Sequence, residues 1–412
     1  VTGPDILSAE YDADPYPHYE TMRTSFPVYV HESTGFYVLS RYRDVVRALQ
    51  DPPFTNECYT WQIEPVMGDR TLVQMDGREH ADNRKMLGGP LRGGDYRDRV
   101  VPSVELACAE LVDGFRRRGR VELMSEFATW LPINVMASLL GLPAQDRPRF
   151  QGWYMAIIAH MVNFGGDPEV EAAGQAARRD MTLFLGPMIE ERRARPGQDI
   201  LSALCTARFA GGPLTDQQIQ AHCAALITAG GDTTVSGIAN TVKHLLLNPE
   251  HLRAVRADRE LIDRMHIEAG RLNPPAHLIM RYAAENADLG DHRIPAGSTV
   301  ACMIGSANRD PARFTAPDTF DPHRPEVDPA RDFTPAGSVV TFGRGRHFCL
   351  GAALARTTVN VAVNQLLDAL PGMRLEADAS LRESGIFTRK LVSLPIRFDV
   401  ATTEPPTERH SA

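Results

Sequence analysis

The chain of 412 residues is 43% hydrophobic and 23% charged, an ordinary globular balance with ample apolar side chain for a large core. Its net charge of −8 excludes a general nucleic-acid binder, and no apolar run approaches the roughly 18–20 residues that span a bilayer. Residues 1–17 are acidic and proline-bearing, unlike a signal peptide, and the six cysteines are scattered without a CxxC pair, so a cytoplasmic protein with reduced thiols and no membrane partner is expected.

In chain order, short alternating runs at 28–30 and 36–39 flank Ser33-Thr34-Gly35 and predict a hairpin. Helical periodicity dominates the middle, over about 97–119, 145–160, 169–194 and 215–247. Gly165-Gly166, between two of these segments, suits a mobile lid. Thr215-Asp216-Gln217-Gln218 is a capping-box start. The helix it opens is expected to run about 30 residues, on the order of 45 Å, until Asn248-Pro249 ends it. In its middle lies Ala229-Gly230-Gly231-Asp232-Thr233-Thr234. Two glycines inside a helix each cost roughly 0.8–1 kcal/mol against alanine, so they need a reason, and close passage over a flat ligand is one. A threonine hydroxyl there can also bond back to the carbonyl one turn earlier and open the helix locally. Strand-like pieces return at 281–285, 299–304 and 391–398. With no repeat, linker or charge block to divide it, the chain reads as one mainly α domain with a small β-sheet region over 1–400, followed by a polar tail at 401–412.

The most specific segment is Thr341-Phe342-Gly343-Arg344-Gly345-Arg346-His347-Phe348-Cys349-Leu350-Gly351. It places a cysteine after a glycine-rich bend and just before an amphipathic helix expected over 350–370. Unpaired N–H groups and the positive dipole end of that helix favour thiolate over thiol. Gly343, Gly345 and Gly351 remove side chains where a flat cofactor would approach the backbone, and Phe342 offers an aromatic face to shield the sulfur. Cys58, Cys108, Cys205, Cys223 and Cys302 lack such surroundings and read as small core hydrophobes. The segment resembles the cysteine loop of the cytochrome P-450 family, Phe-Gly-x-Gly-x-His-x-Cys-x-Gly, with every specified position filled. The resemblance extends over nearly the whole chain and implies the cytochrome P-450 fold as a single large domain. It also implies haem b (iron protoporphyrin IX) as cofactor, with Cys349 as the axial thiolate of the haem iron.

The same resemblance implies roles elsewhere. Asp232 and Thr233 match the family's acid–alcohol pair, which manages the protons that O–O cleavage requires in an apolar pocket. Glu268 and Arg271 match its Glu-x-x-Arg, a pair that meets on one helical face, and Arg324 in the following meander completes a structural charge triad bracing the cysteine loop. Gly270 departs from the leucine usual there and is expected to loosen or kink that helix. His80 and Arg84, four apart, together with Arg281 and His347, match the partners of the haem propionates. The substrate-facing segments map onto about 54–73, a lid over about 154–167, Ala225, Ala229, 276–280 and 384–387. These contain Trp61, Met155, His160, Met161, Phe164, Leu278, Ile279 and Phe387, with His160 and His277 as possible polar points. Arg84, Lys85, Arg92, Arg344 and Arg346 would form a basic docking patch on the cysteine side. The expected function is O2-dependent monooxygenation, hydroxylation or epoxidation, of a small, largely apolar secondary-metabolite substrate. Electrons would come from separate ferredoxin and ferredoxin reductase proteins, since the chain is too short for a fused reductase. The same haem could instead serve oxidative coupling, ring formation or nitration, and a non-enzymatic haem sensor or carrier is the rival from another class.

Overall fold

Strands from 28–55 meet strands from 278–303 in one sheet, in a computed structural model that describes residues 3–163, 165–209, 212–290 and 292–400. The hairpin is formed by β1 (Val28–Val30) and β2 (Tyr37–Leu39), antiparallel with Val28 opposite Leu39. The sheet also takes in β3 (Phe54–Thr55), β4 (Leu278–Ala283) and β5 (Thr299–Met303), in the order β1-β2-β5-β4-β3. The parallel pairing of β2 with β5 joins segments far apart in sequence. The strand expected over 391–398 divides in two. Lys390–Leu391 pairs with Glu383–Ser384, while Pro395–Arg397 lies between Arg374–Leu375 and Arg120–Glu122 in another sheet. Between them Leu394 N–H donates to Glu122 Oε1 at 2.6 Å and its carbonyl accepts from Leu123 N–H at 3.0 Å, which turns the chain from one sheet to the other.

Helices make up most of the rest. Those that position the site are α1 (Gly77–Gly88), α2 (Arg147–Met161), α3 (Pro168–Ala194), α4 (Asp216–Gly230), α5 (Asp232–Leu247), α6 (Ile262–Leu272) and α7 (Ala352–Ala369). The capping box that opens α4 is present: Gln218 N–H donates to Thr215 Oγ1 at 3.2 Å, and Thr215 N–H to Gln218 Oε1 at 3.0 Å. Helix α5 is buried on almost every side and packs against both α6 and α7. Its Ile238, Ala239, Val242 and Leu245 join Val359, Val363 and Leu366 of α7 in the main core. Full burial of such a side chain contributes about 1.5–3 kcal/mol each.

The single long helix expected over 215–247 is two helices, broken at Gly231, whose ψ of −96° leaves the helical region. Gly231 faces the Tyr154 ring of α2: a Cβ there would lie 2.4 Å from a ring carbon. Its small size therefore answers to close packing by an aromatic side chain rather than to a flat ligand. The back-bonding of the threonine is present, with Thr233 Oγ1 donating to the Ala229 carbonyl at 2.9 Å. Gly270 does not break α6. It leaves room for Thr341, whose methyl carbon would be 3.3 Å from a Cβ at that position. Phe164 and the tail at 401–412 lie outside the described residues.

Candidate active site

A cavity of about 430 Å³ runs between the cysteine loop, α1, β4 and the broken α4–α5 helix, and its lining is mainly apolar. Of the residues singled out in the sequence, His80, Arg84, Thr233, Arg281, Phe342, Gly343, His347, Cys349 and Gly351 all line it. They come from four segments that only the tertiary fold brings together.

The cysteine loop is shaped by its backbone. Gly343 and Gly345 have φ of +71° and +69°, a left-handed conformation that side chains disfavour. Cys349 N–H donates to the Phe342 carbonyl at 2.8 Å and closes the loop. The other five cysteines are buried, and burial pushes the thiols of Cys58, Cys108 and Cys302 up to about 12, which makes them inert core residues. Cys349 is instead exposed, towards the cavity. Desolvation raises its thiol, against the opposing pull of the Gly351 N–H and the Arg84 charge. The helix end alone therefore does not supply the thiolate expected from sequence. A metal cation, which deprotonates a coordinating thiol outright, would.

The loop is braced from behind. Glu268 accepts from Arg271 Nε at 2.7 Å and Nη2 at 2.8 Å, and from Arg324 Nε at 3.0 Å, all three residues being buried. Buried charges are tolerated only when every polar atom is satisfied. Here the spare guanidinium protons go to the carbonyls of Asn308, Pro317, Thr319 and Thr315. Asn308, which the sequence did not flag, passes the brace forward. Its side chain accepts from Val340 N–H at 2.9 Å and donates to Thr341 Oγ1 at 3.0 Å, while Thr341 donates to the Gly270 carbonyl at 2.7 Å.

At the cavity's polar edge His347 Nε2 pairs with Asp76 Oδ1 at 3.0 Å, and the rings of His347 and His80 lie 4.3 Å apart. Burial alone would raise the Asp76 carboxyl, but His347, the Asn56 N–H and Arg346 hold it below its ordinary range. Burial, with the neighbouring His347 and Arg84 charges, brings His80 down to about 4, and its Nε2 is buried with no protein partner. An orphaned imidazole nitrogen beside two cavity-lining arginines, Arg84 and Arg281, opposite a free thiol, is a donor set that fits the two carboxylates and the iron of a haem.

Asp232 and Thr233 point different ways. Thr233 lines the cavity, whereas the buried Asp232 carboxylate takes Lys390 Nζ at 2.6 Å and Thr388 Oγ1 at 3.1 Å. Neither Lys390 nor Thr388 could be found from local spacing. The expected substrate lining is corrected in part. Leu72 and Val73 of the expected 54–73 segment, Ala225, Ala229, Ala276 and Ile279 are in the wall, and Val135 and Met136, which were not expected, join them. Trp61, Met155, His160, Met161, Leu278 and Phe387 are outside it. Trp61 and Met155 are exposed, His160 packs against Gly174, and Leu278 and Phe387 belong to a separate cluster with the N-terminal helices. His277 is a buried core histidine outside the wall, its Nδ1 2.6 Å from Tyr19 OH and its Nε2 without a partner.

A family model described as Cytochrome P450 matches residues 167–370. Pulcherriminic acid synthase of Bacillus subtilis is 34% identical over 397 residues, covering 96% of this chain and 98% of the relative. The cytochrome P450 monooxygenase PikC of Streptomyces venezuelae is 32% identical, covering 95% of this chain and 93% of the relative. The crystal structure of P450BioI in complex with an acyl carrier protein ligated with hexadec-9Z-enoic acid superposes with a TM-score of 0.83 at 28% identity, over 95% of this chain and all of that one. No helix among the described residues is long and apolar enough to cross a membrane. Family membership makes the chain an enzyme, and the sensor or carrier reading falls. Likeness along nearly the full length of both chains, in sequence and in fold, places this chain in the cytochrome P450 family, as a haem-dependent oxidoreductase of the bacterial monooxygenase type.

Proposed function

We propose that the protein activates O2 to hydroxylate or epoxidise a small, largely apolar secondary-metabolite substrate. The observation that carries this is that the Cys349 thiol and the Thr233 hydroxyl line one apolar cavity from different elements. Cys349 would hold the iron, and Arg84, Arg281, His80 and His347 would hold the propionates, with Asp76 fixing the His347 ring. When bound, the haem supplies the oxygen chemistry, which thiolate ligation favours by pushing electron density towards O–O cleavage. Thr233, whose own proton goes to the Ala229 carbonyl, presents its hydroxyl lone pairs at the cavity wall, where they would hold a proton-carrying water. Asp232 is the acid behind it, and Lys390, with a side chain 37% exposed, connects that acid to bulk water. The apolar wall excludes water from the reacting centre.

Electrons would come from a ferredoxin. Lys85, Arg92 and Arg346 are exposed and Arg344 half-exposed, a basic surface on an acidic protein, although Arg84 is turned to the cavity. Such a surface steers an acidic partner. An oxidation that builds a product by coupling or ring formation is a second outcome, supported by the likeness to a synthase. The deciding experiment is a ligand screen for the shift to high-spin haem, followed by product analysis with surrogate ferredoxin and reductase. Thr233→Ala is expected to divert electrons to peroxide, with product per NADPH falling several-fold. Cys349→Ala is expected to abolish the thiolate-specific ferrous–carbon monoxide spectrum. A Cys349→Ala protein that kept that spectrum would sink the assignment.

A further inference from the structure

Resting on the monooxygenase reading above, we infer that His222 orients the substrate, and that it selects a neutral hydrogen-bonding group, an amide or a hydroxyl, over a carboxylate. His222, Ala225, Leu226, Ala229 and Gly230 line the cavity along α4, spaced by three and four so that they share one face, and Thr233 continues the wall beyond the break. His222 stands eleven positions before Thr233, roughly 16 Å along a helix axis. It therefore marks the end of the wall remote from the threonine. The alanines and the glycine between them leave room for an apolar body.

His222 is 1% exposed, and its Nδ1 is buried with no hydrogen-bond partner in the protein. An unpaired buried polar atom is costly, and a ligand that meets it by a turn of the ring towards the cavity recovers that cost. Burial, opposed by the charge of Asp69, holds the imidazole down at about 4, so it is uncharged at neutral pH. A neutral imidazole offers one N–H and one lone pair, and either tautomer can meet an amide or a hydroxyl. A carboxylate would find no cation at this end. The cationic side chains in the wall, Arg84 and Arg281, are the ones assigned to the haem, and the charge acting on His222 is the like-signed Asp69. An apolar substrate with one neutral polar end, oxidised at the other, fits these walls.

The test is spin-state titration of the holoprotein with decanamide, decan-1-ol, decane and decanoic acid at pH 7.5. The amide and the alcohol are expected to bind tenfold or more tightly than decanoate. His222→Phe is expected to weaken the amide and the alcohol about tenfold while leaving decane unchanged, and His222→Gln to restore part of the loss. The ferrous–carbon monoxide spectrum of each protein checks the haem site separately, and if His222→Phe fails to hold haem then His222→Leu, which likewise lacks a hydrogen-bonding group, carries the same comparison. Decanoate binding as tightly as the amide, a His222→Phe protein that binds the amide and the alcohol like wild type, or no spin shift with any probe would overturn the inference. Absence of the thiolate spectrum in the wild type would instead overturn the monooxygenase reading.

Discussion

Asp232 and Thr233 are neighbours in the chain, yet a broken helix sends one side chain to a buried ion pair and the other to the cavity. The ion pair is asymmetric: the Asp232 side chain is 6% exposed while the Lys390 side chain is 37% exposed. Lys390→Met leaves the carboxylate inside with only the Thr388 hydroxyl, a loss of about 1–3 kcal/mol. The expected result is a lower melting temperature together with poorer coupling of NADPH to product, and unchanged substrate affinity in spin-state titration. Lys390→Arg, which keeps the charge, should retain most of both. Equal coupling in wild type and Lys390→Met would remove Lys390 from the proton route.

Two elements depend on contacts that a single substitution isolates. At the junction of α4 and α5, Gly231→Ala drives a methyl group into the Tyr154 ring, and overpacking of this kind costs about 1–3 kcal/mol. Tyr154→Leu in the same protein should relieve most of that cost. A double-mutant cycle in urea measures it, and simple additivity would show that the ring is not what the glycine accommodates. In α6, Glu268→Gln leaves Arg271 and Arg324 charged and buried without a carboxylate, a loss of about 3–5 kcal/mol. Because Asn308 carries that brace to Thr341, haem retention should fall with stability. Haem content after gel filtration, set beside the unfolding midpoint, tests the coupling.

For the whole molecule, buried neutral histidines set the response to acid. Burial holds His222 and His266 at about 4 and His244 and His277 at about 3, against about 6.5 in an unfolded chain. Between about pH 6.5 and those values the unfolded chain takes up protons that the folded one refuses. Stability is therefore complete above about 6.5 and falls as the pH drops through that window. Glu383 acts later. Burial alone would raise it, but Lys243, Tyr16 and His277 bring it to about 2, so its contribution is lost only below about pH 4.5. The urea midpoint is expected to hold steady from pH 8 to 7 and to decline from about pH 6.5 downwards. A midpoint that stays level to pH 4.5 would contradict this account.

The sequence by itself determined what short-range geometry encodes. The capping box at Thr215, the Glu268–Arg271 pair at i and i+3, the bend before Cys349 and the helix after it all follow from backbone spacing within a few residues. The lining at His80, Arg84 and Arg281 was legible too, through resemblance of motif rather than from any local physical signal. What only the tertiary structure decided is which side chains meet across long separations. Lys390 reaches Asp232 from 158 positions away, and Asp76 holds His347 from 271 away. Met155 and His160 sit on a helix that contributes nothing to the cavity wall, which its own periodicity could not show. The physical reason is that spacing along a helix or turn is set by covalent geometry, whereas the rotation of one element against another is set by packing. Tyr154 against Gly231 and Thr341 against Gly270 are contacts of that second kind.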